Sequence, residues 1–288
     1  MKRRYNQPHL DFQGDGRPLT VQGMDAAAGA IGVGLAELWA VVRVETRGWG
    51  FLADRRPHTL YERHWFHRLT GAALKNCPAE ISCSKPGGYL GGAREYDRLT
   101  RALAFDRRAA LSSTSWGIGQ VMGFHAESLG FADVEEMVAN MVASEDGQLG
   151  AMARFVVGQK LDRALRDHHW AGFARGYNGV SFAKNHYDEK LRWEYADLVA
   201  NGLPDLRLRA AQLRLLYRGF EPGPIDGMMG NLTRTALRRF QAQEGLTVSG
   251  GLDDATEARL SVAPRGQRRP RTPSAKRGRP APRASRAR

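Results

Sequence analysis

A carboxyl group can serve as an acid near neutral pH only where its surroundings resist its ionisation, and Glu45 has a sequence context of that kind. The segment Leu35–Trp49 (LAELWAVVRVETRGW) reads as a helix that runs into a glycine-containing turn. Leu35, Leu38, Trp39 and Val42 recur at three- and four-residue spacing, and Glu45 continues the stripe. A carboxyl on a buried stripe is costly unless it has a task. It also falls in the last helical turn, where the macrodipole disfavours negative charge. Both effects raise a carboxyl pKa, as a general acid requires. A partly exposed glutamate at a frayed helix end would show the same local pattern without any chemistry.

Two other segments supply what such an acid would need. Ser115–Met122 (SWGIGQVM) sets small and apolar residues around one amide, Gln120, and Arg175–Gly179 (RGYNG) supplies the phenol of Tyr177 and the amide of Asn178 between glycines. Cleavage between sugars calls for a protonated carboxyl, amides to hold hydroxyl and N-acetyl groups, and glycines that let backbone approach a ligand.

In the order Glu–Thr, S-x-G-x-x-Q, G-Y-N-G, these segments resemble the motif set of the lysozyme-like superfamily, which includes goose-type lysozymes and lytic transglycosylases. The runs Trp39–Thr70, Lys85–Tyr96, Ala110–Phe124 and Phe173–Tyr187 are similar to phage-type N-acetylmuramidase endolysins, over roughly residues 18–200. Thr46 stands where the superfamily more often has serine, and it keeps the hydroxyl. The resemblance implies a peptidoglycan hydrolase with Glu45 as acid, with Gln120, Tyr177 and Asn178 binding substrate and positioning that acid, and with Ser115 on the substrate. Tyr177 would hydrogen-bond Glu45 or pack beneath it. Lysozyme-like folds place a β-hairpin after the catalytic helix, which favours Glu62 in Leu60–His64 (LYERH) as the second carboxylate. Asp54 and Asp97 are weaker candidates, and Glu62 could instead pair with Arg63 or His64 and only shape the cleft. Without a well-placed second carboxylate the reaction would be that of a lytic transglycosylase, with an anhydro sugar as product.

The elements that must position these groups are mostly helical. Helices are expected at Val21–Ile31, Leu35–Thr46, Ala93–Leu103, Val134–Ala143, Gly147–Val157, Leu161–Asp167, Trp170–Tyr177 and Asn185–Val199, with an extended section around Pro57–Phe66 and a glycine-rich loop at Gly87–Gly92. Asp133 reads as a helix N-cap. Asn201-Gly202-Leu203-Pro204 reads as a stop and linker. Residues 205–262 then carry helical patterns at Leu206–Tyr217, Leu232–Glu244 and Asp254–Leu260, with Asp226, Gly227 and Gly230 in a tight joining turn. This stretch resembles the small three-helix peptidoglycan-binding domain over its full length. The fold class is therefore mainly α: a lysozyme-like domain with a short β-hairpin, followed by a small three-helix bundle. The expected parts are a lead-in (1–17), a catalytic domain (18–200), a wall-binding domain (205–262) and a basic tail (263–288).

The net charge of +13 is concentrated in that tail, whose ten lysines and arginines leave only about +3 for the rest of the 288 residues. Arginine, proline, alanine and serine dominate it, so it is expected to be disordered, and either to adsorb to anionic surfaces such as lipopolysaccharide, anionic lipid or nucleic acid or to serve as a non-specific solubilising tail. The near-balanced body argues against specific nucleic-acid binding, and a monomer is expected. Cys77 and Cys83 are expected as reduced thiols. His58, His64 and His67 cluster without an acidic ligand set, so neither metal nor cofactor is expected. No apolar run of membrane-spanning length occurs, and the basic start lacks the apolar stretch of a secretory signal. The implied location is the host cytoplasm until release, with action on the wall.

Overall fold

The computed structural model describes residues 12–71, 74 and 76–262; the basic tail and most of the lead-in lie outside the described residues. The helices are α1 (Val21–Ile31), α2 (Leu35–Thr46), α3 (Arg63–Leu69), α4 (Glu95–Leu103), α5 (Arg107–Ser112), α6 (Val134–Ala143), α7 (Glu145–Gly158), α8 (Asp162–Arg166), α9 (Trp170–Asn178), α10 (Tyr187–Asn201), α11 (Leu206–Tyr217), α12 (Asn231–Glu244) and α13 (Asp254–Ser261). Strands β1 (Thr59–Tyr61), β2 (Thr114–Trp116) and β3 (Val121–Met122) form one antiparallel sheet in that order.

Helix α2 is the axis of the larger unit. Leu38, Ala40, Val41 and Val42 are fully buried, so the helix is covered on more than one face, as expected for apolar character that exceeds a single stripe. It packs against α1 and α10. The chain enters α1 through Thr20, whose hydroxyl accepts from Gly23 N, and leaves α2 through Arg47 in the left-handed region (φ 60°). The expected cap Asp133 accepts from Glu136 N. The end of the lead-in is not free: Arg17 N donates to Ala143 O, Glu145 N donates to Arg17 O, and Phe12 is buried against Tyr96 and Trp116.

The extended section is shorter than the sequence suggests, and the sheet larger. Only Thr59–Tyr61 is strand; Arg63–Leu69 turns into helix α3 at Glu62. Its aromatic and histidine side chains are poor helix formers taken singly, and packing of Phe66 (fully buried) against Tyr61 overrides that preference. The partner of β1 is Thr114–Trp116, in register Thr59↔Trp116 and Tyr61↔Thr114, and the Gly117–Gln120 turn returns into β3.

Helices α11 to α13 form the second unit around Leu215, Leu237, Phe240 and Leu260. A buried amide closes each of its loops. Gln212 accepts from Gly227 N at 2.8 Å and donates to Thr233, and Gln241 repeats this with Gly250 N at 2.8 Å and Thr256. A Cβ at Gly227 (φ +73°) would sit 2.7 Å from Asp205 O, so glycine is required there. Gly230 is instead the α12 N-cap with φ −91°, which any residue can adopt.

Candidate active site

Glu45 lies in the last turn of α2, as its sequence position implies, and three elements close round it. Tyr187, at the start of α10, donates its hydroxyl to Glu45 Oε1, and the Asn178 amide at the end of α9 also hydrogen-bonds the carboxyl. Tyr177 approaches from the same turn of α9, but its hydroxyl donates to Gly119 O at 2.7 Å. Glu45 keeps some exposed surface, yet protein surrounds it densely enough that desolvation dominates. Burial pushes its pKa up from 4.5 to about 7, against the lowering effect of the Tyr187 and Asn178 hydrogen bonds. Burial, with the nearby Glu45 charge, holds the Tyr187 hydroxyl well above its ordinary pKa, so it remains a donor.

The hairpin is fastened to this helix end. Thr46 Oγ1 donates to Ile118 O at 3.2 Å, so the hydroxyl after the acid ties α2 to the β2–β3 turn. Gln120 sits in that turn with φ +46°. Its Nε2 donates to Gly117 O (2.8 Å) and His58 O (3.3 Å), and its Oε1 accepts from Ser115 Oγ at 3.0 Å. Ser115 and Gln120 thus brace one another beside the Glu45 helix, and part of Gln120 stays exposed.

Glu62 belongs to the opposite end of the sheet. Its N–H donates to Ser113 O (2.9 Å), beyond the Tyr61↔Thr114 pair, whereas the turn near Glu45 follows Trp116. Tyr89 donates to both carboxylate oxygens, at 3.1 and 2.9 Å. His64 Nδ1 lies 3.1 Å from Glu62 Oε2 but out of hydrogen-bond alignment. Arg63 turns away, donating to the backbone carbonyls of Ala79, Lys85 and Pro86. Tyr89 is held by a buried ion pair beneath its loop. Glu95 accepts from Leu90 N and Gly91 N, and Arg98, 2.9 Å from Glu95, donates to Gly87 O, Glu80 O and Tyr61 O.

Of the weaker acids, Asp54 is paired with Arg56 at 2.7 Å. Asp97 lies in the first turn of α4. A cavity of about 400 Å³ bounded by Leu69, Asp106, Arg108, Phe124 and Glu127 contains neither Glu45 nor Glu62.

Residues 34–199 match the N-acetylmuramidase family, and residues 205–260 match a peptidoglycan binding domain. The chain belongs to the N-acetylmuramidase family. A solved structure of the Burkholderia AP3 phage endolysin is similar at 43% identity, covering 66% of this chain and 74% of that one with a TM-score of 0.60. Among curated proteins no significant match is found. The two matched regions and this neighbour make the muramidase a peptidoglycan hydrolase whose second unit binds the wall polymer. No single helix among the described residues is long and apolar enough to cross a membrane.

Sequence reasoning passes over three residues that hydrogen-bond Glu45 or the segments beside it. Tyr187 closes the run Phe173–Tyr187, yet its tie to Glu45 spans 142 positions and leaves no local signature. Glu145 and Gln148, on the first turn of α7, are fully buried. Glu145 accepts from Leu19 N and Gly50 N, both at 2.8 Å, and Gln148 accepts from Ile118 N at 2.8 Å. Together they fix the segment leaving α2 and the hairpin turn. A first-turn acid reads in sequence as an ordinary complement to the helix dipole, which conceals this role. Cys77 and Cys83 are free thiols.

Proposed function

We propose that this muramidase hydrolyses the glycan bond between N-acetylmuramic acid and N-acetylglucosamine, as a lysozyme-type endolysin. The observation that carries the reading is the enclosure of Glu45, which stays largely protonated up to about pH 7 because of burial. Its proton passes to the departing glycosidic oxygen as the bond to the anomeric carbon breaks. Glu62 takes a proton from the attacking water, which completes the hydrolysis. Tyr89 orients Glu62 through two hydrogen bonds. Asn178 and Tyr187 orient the Glu45 carboxyl, and Tyr177, Gln120 and Ser115 shape the wall of the cleft against which the N-acetyl sugars lie.

The wall-binding unit keeps the enzyme on its polymer, raising the local concentration of glycan at the site. The protein acts on the wall after release from the host cytoplasm. Its basic tail adsorbs to anionic surfaces such as lipopolysaccharide. Mass spectrometry of fragments released from purified peptidoglycan tests the reaction. Reducing-end N-acetylmuramic acid is expected, and anhydromuramic ends would replace this reading with a lytic transglycosylase.

A further inference from the structure

The larger and smaller units meet through a buried ion pair. Arg209, on α11 of the wall-binding unit, has no exposed side-chain surface, and neither does Glu145. Its two terminal nitrogens bond the two Glu145 oxygens at 2.7 and 2.8 Å, the bidentate fit that guanidinium makes and ammonium cannot. Arg209 Nε and Nη2 also donate to Gly48 O, at 3.0 and 2.5 Å. Gly48 stands three residues after Glu45, immediately past the left-handed residue that ends α2. The guanidinium further lies 5.6 Å from the ring of Trp39, a residue of α2 itself.

Four backbone atoms around this exit are held by these side chains. Glu145 holds Gly50 N, Arg209 holds Gly48 O, and Gln148 donates to Gly50 O at 3.4 Å while accepting from Ile118 in the hairpin turn. Elsewhere the smaller unit also meets the larger through Tyr217, which donates to Gly16 O at 2.8 Å and lies under Arg55, and through Leu206, which packs against the larger core. From the smaller unit, Arg209 hydrogen-bonds the backbone leaving the Glu45 helix, at Gly48 O.

We propose that Arg209 is a positioning residue for the proton donor: the wall-binding unit completes the catalytic site by fixing the carboxyl-terminal end of α2. This rests on Glu45 being that donor. A buried carboxylate that loses its partner keeps its desolvation cost, so Glu145 without Arg209 must draw in water or shift, and Gly48–Gly50 shifts with it. A displacement of about 1 Å of a reacting group is enough to cost on the order of a hundredfold in rate.

The test uses the full-length enzyme with Arg209→Lys and with the charge-free pair Glu145→Gln/Arg209→Met, assayed on soluble glycan oligomers that do not depend on wall affinity. The pair removes both buried charges together, which such sites tolerate better than loss of one, and still leaves Gly48 O without its donor. Melting and sacculus pull-down establish that a variant is folded and binds wall, and the reading is taken on whichever variant melts above the assay temperature. The expected result is a fall in kcat of about 10- to 100-fold with KM within about twofold, and an alkaline limb of the pH–kcat profile displaced from its wild-type position. Unchanged kcat and pH profile in a folded variant would overturn the proposal, as would a loss confined to KM or to wall binding. Glu45→Gln, run alongside, separates the two readings. If it stays active, the donor assignment fails; if it is inactive while the Arg209 variants are not, the positioning role alone fails.

Discussion

Glu45 and Glu62 are the same chemical group held at opposite ends of one small sheet, and their neighbours differ in kind. Glu45 ends a helix whose middle, Leu38–Val42, is buried, and it meets a phenol and an amide brought from 133 to 142 positions away. Glu62 begins a helix at a strand–helix junction and meets a phenol from a glycine-rich loop only 27 positions on. On the proposed mechanism, distant packing shapes the acid, whereas a local loop, clamped by Glu95 and Arg98, holds the second carboxylate. The difference teaches that the two halves of such a site can be damaged separately.

The largest effect is expected at Glu45. Glu45→Gln should lower hydrolysis of purified peptidoglycan by about 10²–10⁴, with the fold and sacculus binding retained. Retention of more than a tenth of the activity would place the acid elsewhere. Glu62→Gln should come next. A strong loss with hydrolytic products expected throughout would support water activation, and near wild-type rates with anhydromuramic products would remove Glu62 from the mechanism. Tyr89→Phe should cost less, about tenfold or under, because Glu62 itself remains; kcat on soluble glycan measures it.

The two phenols give a finer contrast. The Tyr187 hydrogen bond lowers the Glu45 pKa against the rise from burial to about 7. Tyr187→Phe should therefore move the alkaline limb of the rate profile to higher pH, while Tyr89→Phe leaves that limb in place. A downward shift in Tyr187→Phe would contradict the arrangement.

Stability offers the smallest and most independent check. Because the folded-state pKa of Glu45 is raised from 4.5 to about 7, the native state holds its proton more tightly. That contribution is complete below pH 4.5 and is lost as pH rises through about 7, a change on the order of 3 kcal/mol. Glu45→Gln should erase it, so the variant should gain on the wild type in denaturant melts between pH 5 and 8. His58 runs the other way. Burial lowers its pKa from 6.5 to about 4, so its contribution is present above pH 6.5 and is lost as pH falls through about 4. His58→Gln should flatten the acid side of the stability curve and leave the alkaline side alone.

Much of the scaffold was readable from spacing. Helices α1, α2, α6 and α11 begin and end where periodicity and caps place them, because each has a strong apolar face and a defined entry or exit. Helices α3 and α5, of seven and six residues, were not: α3 falls in the section read as extended, and its helix is set by packing of Phe66 on Tyr61. Among the site residues, Glu45 carries a signal because its own helix is apolar. Asn178, which motif reasoning assigns to the substrate and to positioning Glu45, hydrogen-bonds the Glu45 carboxyl. Tyr177 has its hydroxyl on Gly119, and the hydrogen bond to Glu45 comes instead from Tyr187, since only the folded α9–α10 corner decides which phenol reaches inward. Glu145 and Arg209 carry no local mark, being ordinary charged residues on two helices until those helices meet.

That meeting bears on how such chains can be recombined. Glu145 and Arg209 stand on either side of a linker at residues 202–205 that looks like a natural place to cut and rejoin. A lysin assembled by grafting a foreign wall-binding unit there would inherit one member of the pair without the other. The graft would carry a stranded charge into its own catalytic core, whatever affinity the new unit brought. Transplants that supply a guanidinium at the position of Arg209 should express as active enzymes more often than those that do not, and lineages that shuffle these units should exchange the two residues as one heritable trait.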